Sequence, residues 1–151
     1  MSNVKRYYHY TESGLSNIYL VNGFSVEQID NEEFYSIDNL DELHKVISTA
    51  LVNRSQRLSA EAFRFLRIEM NLSQKVLGEQ LGVDAQTVAR WEKAQTTISR
   101  LADVVLRALY LEIENKDSHI TEMLAMLSEA EETDFSEKMI LKETENWKIA
   151  A

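Results

Sequence analysis

The chain has 151 residues, 44% hydrophobic and 27% charged, which suits one globular domain with a small appendage and excludes a fibrous repeat or wholesale disorder. Cysteine and proline are both absent, so disulfides and thiolate zinc sites are excluded and helices can run without a breaker. The formal net charge of -9 disfavours nucleic acid only until it is divided: residues 1–53 hold 3 Lys/Arg against 8 Asp/Glu, residues 54–110 hold 9 against 6, and residues 111–151 hold 4 against 11. A cationic middle between acidic ends is the distribution of a DNA-binding module whose flanks do not touch DNA, because phosphate affinity depends on local charge. No apolar run nears the ~18 residues that span a bilayer, and the polar start Met1-Ser-Asn-Val-Lys-Arg lacks the character of a signal peptide. A cytoplasmic protein with no membrane partner is expected.

Taken in chain order, Val4 to Tyr10 is rich in aromatics, and Ile18–Val21 and Phe24–Val26 flank Asn22-Gly23. Asn-Gly is the pair that a tight type I′ turn prefers, because both central residues need positive φ, so a hairpin is predicted there. Glu33–Ile37 adds a third strand to a small antiparallel sheet. From Leu40 the period lengthens to about 3.6. Leu40, Leu43, Val46, Ile47, Ala50 and Leu51 share a stripe, and Asp38 or Asn39 is placed to cap a helix that packs on the sheet. Residues 1–53 therefore read as a β-sheet-plus-helix domain for partner binding or dimerisation, and Asn53-Arg-Ser-Gln-Arg57 reads as a linker.

Residues 58–115 read as four helices. Ser59 caps one carrying Phe63, Leu66 and Met70; Ser73 caps a short one to about Gln80, ended by Gly82; Asp84 caps a third from Ala85 to about Lys93. The fourth runs from Ser99 toward Glu114 with Leu101, Val104, Val105, Ala108 and Leu109 as its stripe. Two short helices joined by a glycine-containing turn of about four residues make a helix-turn-helix, whose second helix enters the major groove. Residues 116–151 read as an acidic helical tail. Ile120, Met123, Leu124 and Leu127 form an amphipathic helix, followed by acidic residues 129–134, and Met139, Ile140, Leu141 and Trp147 form a last short helix or a frayed end. The predicted class is α+β: a small N-terminal antiparallel β-sheet with one helix, an all-α helix-turn-helix domain and a helical tail.

The string Leu72-Ser-Gln-Lys-Val-Leu-Gly-Glu-Gln-Leu-Gly-Val-Asp-Ala-Gln-Thr-Val-Ala-Arg-Trp-Glu92 resembles the Xre (lambda repressor-like) helix-turn-helix family. The Ser-Gln opening, the core positions Leu77, Leu81, Val83, Val88 and Trp91, and the Trp-Glu close stand at family spacing over residues 58 to about 110. Ala94 departs from the family, which commonly has Gly there; positive φ at that position would cost an alanine on the order of 1 kcal/mol.

The resemblance implies double-stranded operator DNA as partner. It places Ala85, Gln86, Ala89 and Arg90 at base-reading positions. Gln suits adenine, Arg suits guanine and an Ala methyl suits the thymine methyl. Ser73 and Gln74, at a helix N-terminus, are assigned to phosphates together with Thr87, Lys93, Thr96 and Thr97. Arg67 and Glu92 match a structural ion pair of the family and are read as scaffold. One short recognition helix reads few bases, so a homodimer spanning half-sites about 34 Å apart is expected, with the apolar faces of residues 99–127 as its interface.

A second, narrower resemblance lies in Tyr8-His-Tyr-Thr-Glu-Ser-Gly-Leu-Ser-Asn-Ile-Tyr-Leu-Val-Asn-Gly23, which looks like the start of bacterial regulators related to MqsA-type antitoxins. It implies a toxin partner, and the acidic ends suit a basic one. The zinc of MqsA is held by cysteines and is not carried over. His9, His44 and His119 lack ligand spacing, and nucleophile-elbow, phosphate-loop and dinucleotide patterns are missing. No enzymatic activity, cofactor or metal is expected. The reading is therefore a sequence-specific transcriptional repressor, narrowed to the antitoxin of a toxin–antitoxin pair that represses its own operon. A stand-alone Xre-type regulator, or a protein-interaction module with a vestigial helix-turn-helix, is the alternative.

Overall fold

Strands come first and helices after in the computed structural model, which describes residues 7–115, 121, 141–143 and 146–149. Strand β1 (Tyr8–His9) pairs antiparallel with β2 (Tyr19–Leu20), and β3 (Phe24–Ile29) with β4 (Glu32–Ile37). Helices α1 (Leu40–Asn53), α2 (Ala60–Glu69), α3 (Gln74–Leu81), α4 (Ala85–Glu92) and α5 (Arg100–Asn115) follow, then a final antiparallel pair, β5 (Leu141–Glu143) and β6 (Trp147–Ile149). The α+β class is the one read from the sequence. The helix expected over Ile120, Met123, Leu124 and Leu127, the acidic residues 129–134, and Met139 and Ile140 lie outside the described residues. Leu141 and Trp147, expected in a short helix or a frayed end, stand in strands, the backbone that Trp and Ile favour.

The N-terminal strands pair differently from expectation. Instead of one sheet of three strands there are two separate two-stranded ribbons. The tight hairpin turn is Asp30-Asn31, not Asn22-Gly23. Asp30 and Asn31 both take positive φ (52° and 66°), as a type I′ turn demands, whereas of the other pair only Gly23 does. Six residues on each side of Asp30-Asn31 pair in full register, from Phe24 opposite Ile37 to Ile29 opposite Glu32.

Helices α2, α3 and α4 are delimited by the same local chemistry at both ends. Ser59 Oγ accepts from the Ala62 N–H, Ser73 Oγ from the Val76 N–H and Asp84 Oδ1 from the Thr87 N–H, so each N-cap satisfies an otherwise orphaned donor. At the other ends the chain turns left-handed at Asn71, Gly82 and Ala94, with φ of 58°, 72° and 57°. In each case the next residue's N–H reaches back across the last turn: Leu72 to Arg67 O, Val83 to Gly78 O and Gln95 to Arg90 O, at 3.2, 2.9 and 2.9 Å. Helix α5 is capped by Ser99, whose Oγ accepts from the Ala102 N–H. Helix α1 is the exception. Asn39 stands before it in a left-handed conformation, and its side chain donates to Glu42 instead of capping.

One core runs through the chain from the N-terminal loop to α5. Phe63, Leu66, Leu77, Val88 and Leu106 are fully enclosed, and the Phe63 and Trp91 rings meet edge to face at 5.8 Å. Helix α1, expected to pack on a sheet, contributes Ile47, Leu51 and Val52 to this same core and contacts α2 and α5. Its face is rotated from the predicted stripe, leaving Leu40, Val46 and Ala50 exposed. Leu15, from the loop between β1 and β2, plugs the core, while the Ser16 N–H and hydroxyl both donate to Glu61 Oε2. The Tyr10 hydroxyl is hydrogen-bonded with His44 Nε2 (2.7 Å), and His44 Nδ1 donates to Glu69 Oε1 (2.7 Å), because a carboxylate can only accept. The strands are thereby fastened to α1 and α2. Tyr10 is held above the ordinary phenol pKa by burial first, with Glu12, Tyr8 and Glu69 adding repulsion.

The segment read as a linker is clamped down. Arg107 on α5 donates to the carbonyls of Val52, Arg54 and Gln56 and, at 2.6 Å, to Asp103 Oδ1, while Asp103 Oδ2 accepts from the Leu58 N–H. The predicted α5 stripe divides: Leu109 and, in part, Val105 and Ala108 face inward, while Leu101 and Val104 are 73% and 56% exposed. Ala102, Leu106 and Tyr110 take the inward positions instead, because apolar residues cover more of the helix than one side of the core can bury. Among the described residues, no helix is long and apolar enough to cross a membrane.

Ala94 is the only described residue other than Gly, Asn or Asp with positive φ. Ala94→Gly is expected to stabilise the protein by about 0.5–1 kcal/mol, because relief of roughly 1–2 kcal/mol of left-handed strain exceeds the added unfolded-state freedom of glycine, roughly 0.5–1 kcal/mol. Thermal melting should rise by about 1–4 °C; a fall would show that the loop carries no such strain.

Candidate nucleic-acid interface

Helices α3 and α4 are set against each other by two glycines with different duties. Gly82 supplies the left-handed residue that ends α3. Gly78 supplies room: a Cβ there would lie 2.7 Å from Val83 O and 3.3 Å from the Asp84 carbonyl, so the turn closes over α3 only because position 78 is bare. Sequence reading gave Gly78 no role, since a glycine inside a helix carries no signal of what crosses above it.

Val88 and Trp91 face the core from α4, and Ala85, Gln86, Ala89 and Arg90 lie on its other side. Gln86 and Arg90 are exposed and the two alanines half-buried beside them, giving two long polar side chains on a low apolar base. Asp84 caps this helix. Its carboxyl is held below the usual carboxylate range, first by the Thr87 hydroxyl, then by the Thr87 backbone N–H, with the Arg90 charge adding. A lowered folded-state pKa means that the capping contribution is present above the ordinary carboxylate value and is lost only as pH falls through the lowered one. The cap therefore stays ionised at neutral pH.

The residues assigned to phosphates are not equivalent in the DNA-free protein. Ser73 Oγ accepts at the cap, which leaves its hydroxyl proton to donate, and Ser73 is exposed. Lys93, Thr96 and Thr97 are exposed after α4. Thr87 donates its hydroxyl to Asp84 Oδ1 at 2.7 Å, so a phosphate contact requires it to release that carboxylate. Gln74 is half-buried and its amide donates to Glu92 Oε1 at 3.2 Å. Two exposed cations were not singled out by sequence reading: Lys75 in the first turn of α3, and Arg64 on α2, whose Nε lies 3.9 Å from Glu92 Oε1. The only sequence signal that includes them is the positive charge of residues 54–110.

Beneath this surface Arg67 and Glu92 form a bidentate pair, Nε to Oε2 at 2.6 Å and Nη2 to Oε1 at 2.8 Å. The third arm of the guanidinium donates to Leu72 O at 2.9 Å, fastening the turn between α2 and α3. The Glu92 side chain is 2% exposed, so its charge is tolerable only because Arg67 and the Gln74 amide satisfy it.

The helix-turn-helix family model HTH_3 matches residues 63–102, which span α2, α3, α4 and the start of α5. That match supports a DNA-binding transcription regulator, and it falls on the segment that resembles the Xre family. No curated protein and no solved structure matches the chain.

Glu92→Ala should leave the Arg67 charge enclosed without its partner and cost roughly 3–5 kcal/mol. Chemical denaturation checks this, and an unchanged midpoint would mean that the pair carries no structural load.

Proposed function

We propose that this protein is a sequence-specific repressor that reads double-stranded operator DNA as a homodimer in the cytoplasm. The observation that carries the reading is the exposure of Gln86 and Arg90 on the side of α4 away from Val88 and Trp91, on a helix whose angle to α3 is set by Gly78 and Gly82. A glutamine amide can pair with adenine N6 and N7, and a guanidinium with guanine O6 and N7, each through two bonds. Ala85 and Ala89 keep the helix low enough to approach base edges and offer methyls to thymine. Ser73, Lys93, Thr96 and Thr97 then fix the register on phosphates, with Gln74 and Thr87 joining once they exchange their present partners.

Dimerisation is supported by the outer side of α5. Leu101, Val104 and Leu111 are 73%, 56% and 40% exposed and fall at helical spacing on one side, an apolar strip of the kind that pairs helices. A second copy on this strip would present two α4 helices to successive major grooves. The narrower antitoxin reading is supported by the Tyr8–Gly23 resemblance and by residues 7–44, which carry eight Asp/Glu and no Lys/Arg. It separates from a stand-alone regulator in co-expression: the antitoxin restores growth arrested by the product of the neighbouring gene, whereas the stand-alone regulator has no toxic neighbour.

The test is binding to the chain's own upstream DNA at two salt concentrations. Gln86→Ala and Arg90→Ala should each lose roughly 1–3 kcal/mol of discrimination at particular base pairs, whereas Lys93→Ala should weaken all sequences alike and reduce the salt slope by about one. Sequence preference unchanged in both α4 variants would overturn the base-reading assignment. Val104→Glu should give monomers in analytical ultracentrifugation, with weaker operator binding.

A further inference from the structure

The β3–β4 ribbon has one face partly covered, at Phe24, Tyr35 and Ile37, and one that is bare. Cross-strand pairing sets Phe24, Val26, Tyr35 and Ile37 on one side, where the Tyr8 ring stacks on Tyr35 at 4.2 Å and meets Phe24 at 5.4 Å. The opposite side carries Ser25, Glu27, Ile29, Glu32, Phe34 and Ser36, every one exposed, with Ile29 at 53% and Phe34 at 49%. Glu27 stands directly opposite Phe34, and Glu32 directly opposite Ile29, so two apolar side chains are each bracketed by a carboxylate. Among the described residues, β3 pairs with no strand other than β4.

Two-stranded ribbons are at best marginal in water, and an apolar pair on an open face adds a further unfavourable exposure. The charge decides what can cover it. Nucleic acid and anionic lipid are repelled by residues 7–44, which hold no Lys or Arg, and a second copy on the same face would set carboxylate against carboxylate. We propose that the Ile29–Phe34 face of the ribbon docks a basic protein through an extended segment in which Lys or Arg alternates with apolar residues. Apolar side chains of the segment cover Phe34 and Ile29, its cations meet Glu27 and Glu32, and its backbone aligns along the β3 edge of the ribbon. This surface is separate from α3 and α4, and the partner need not be a toxin, so the inference stands without the antitoxin reading.

The test titrates the isotope-labelled full chain with a short peptide alternating lysine and valine, with a glutamate–valine peptide as control, and follows backbone amide signals at physiological salt. Shifts confined to residues 24–37 are expected. Affinity should fall about tenfold for Phe34→Ser, by loss of apolar contact, and about tenfold for Glu27→Lys combined with Glu32→Lys, by charge reversal. Both sites are exposed, and an unchanged thermal melting midpoint with unchanged amide signals outside residues 24–37 shows that the variants remain folded. Three results would overturn the proposal: equal binding of the glutamate–valine peptide, shifts spread over acidic residues outside the ribbon, or no effect of Phe34→Ser.

Discussion

A single enclosed carboxylate, that of Glu92, sets the geometry on which the rest of the molecule depends. It ends α4, it is satisfied by the Arg67 guanidinium from α2 and by the Gln74 amide from the start of α3, and the same guanidinium holds the Leu72 carbonyl. Three helices and one turn therefore meet at one charge. Buried ion pairs contribute little net stability compared with an apolar replacement, because desolvation offsets attraction. What this pair does contribute is position, since the bonds that satisfy the enclosed charge tie α2, α3 and α4 together at one point.

A second polar clamp extends that order to the rest of the chain. Asp103 and Arg107 hold the backbone from Val52 to Leu58 against α5, so the strand-bearing half and the helix-turn-helix half are joined by bonded chain. Leu15 in the core and the Tyr10–His44–Glu69 chain add two more attachments. The N-terminal part shares a core with the helices, and the β3–β4 ribbon keeps one face bare.

The charge distribution acquires a spatial meaning from this arrangement. Arg64 on α2, Lys75 on α3, Arg90 on α4 and Lys93 just after it are exposed, and the carboxylates of Glu27 and Glu32 stand opposite Phe34 and Ile29 on the ribbon. The two surfaces therefore differ in the sign of their exposed charge.

The sequence by itself determined the features that depend on near neighbours. Ser59, Ser73 and Asp84 could be named as caps, Gly82 as a terminator and Ala94 as a strained departure, because a cap or a left-handed residue is decided within about four positions of chain. The face of α4 was legible for the same reason: helical spacing alone separates Gln86 and Arg90 from Val88 and Trp91. Tertiary structure decided everything that required two distant segments to meet. Asn22-Gly23 is the stronger turn signal, yet the hairpin formed at Asp30-Asn31, where six-residue strands could pair on both sides. The apolar residues of α1 and α5 surround much of each helix, so only the core could choose which side was buried. Gly78 needed the Val83 carbonyl above it before its lack of a side chain meant anything, and Arg107 needed the carbonyls of Val52 and Gln56, roughly fifty residues earlier in the chain, to turn an apparent linker into a fixed joint.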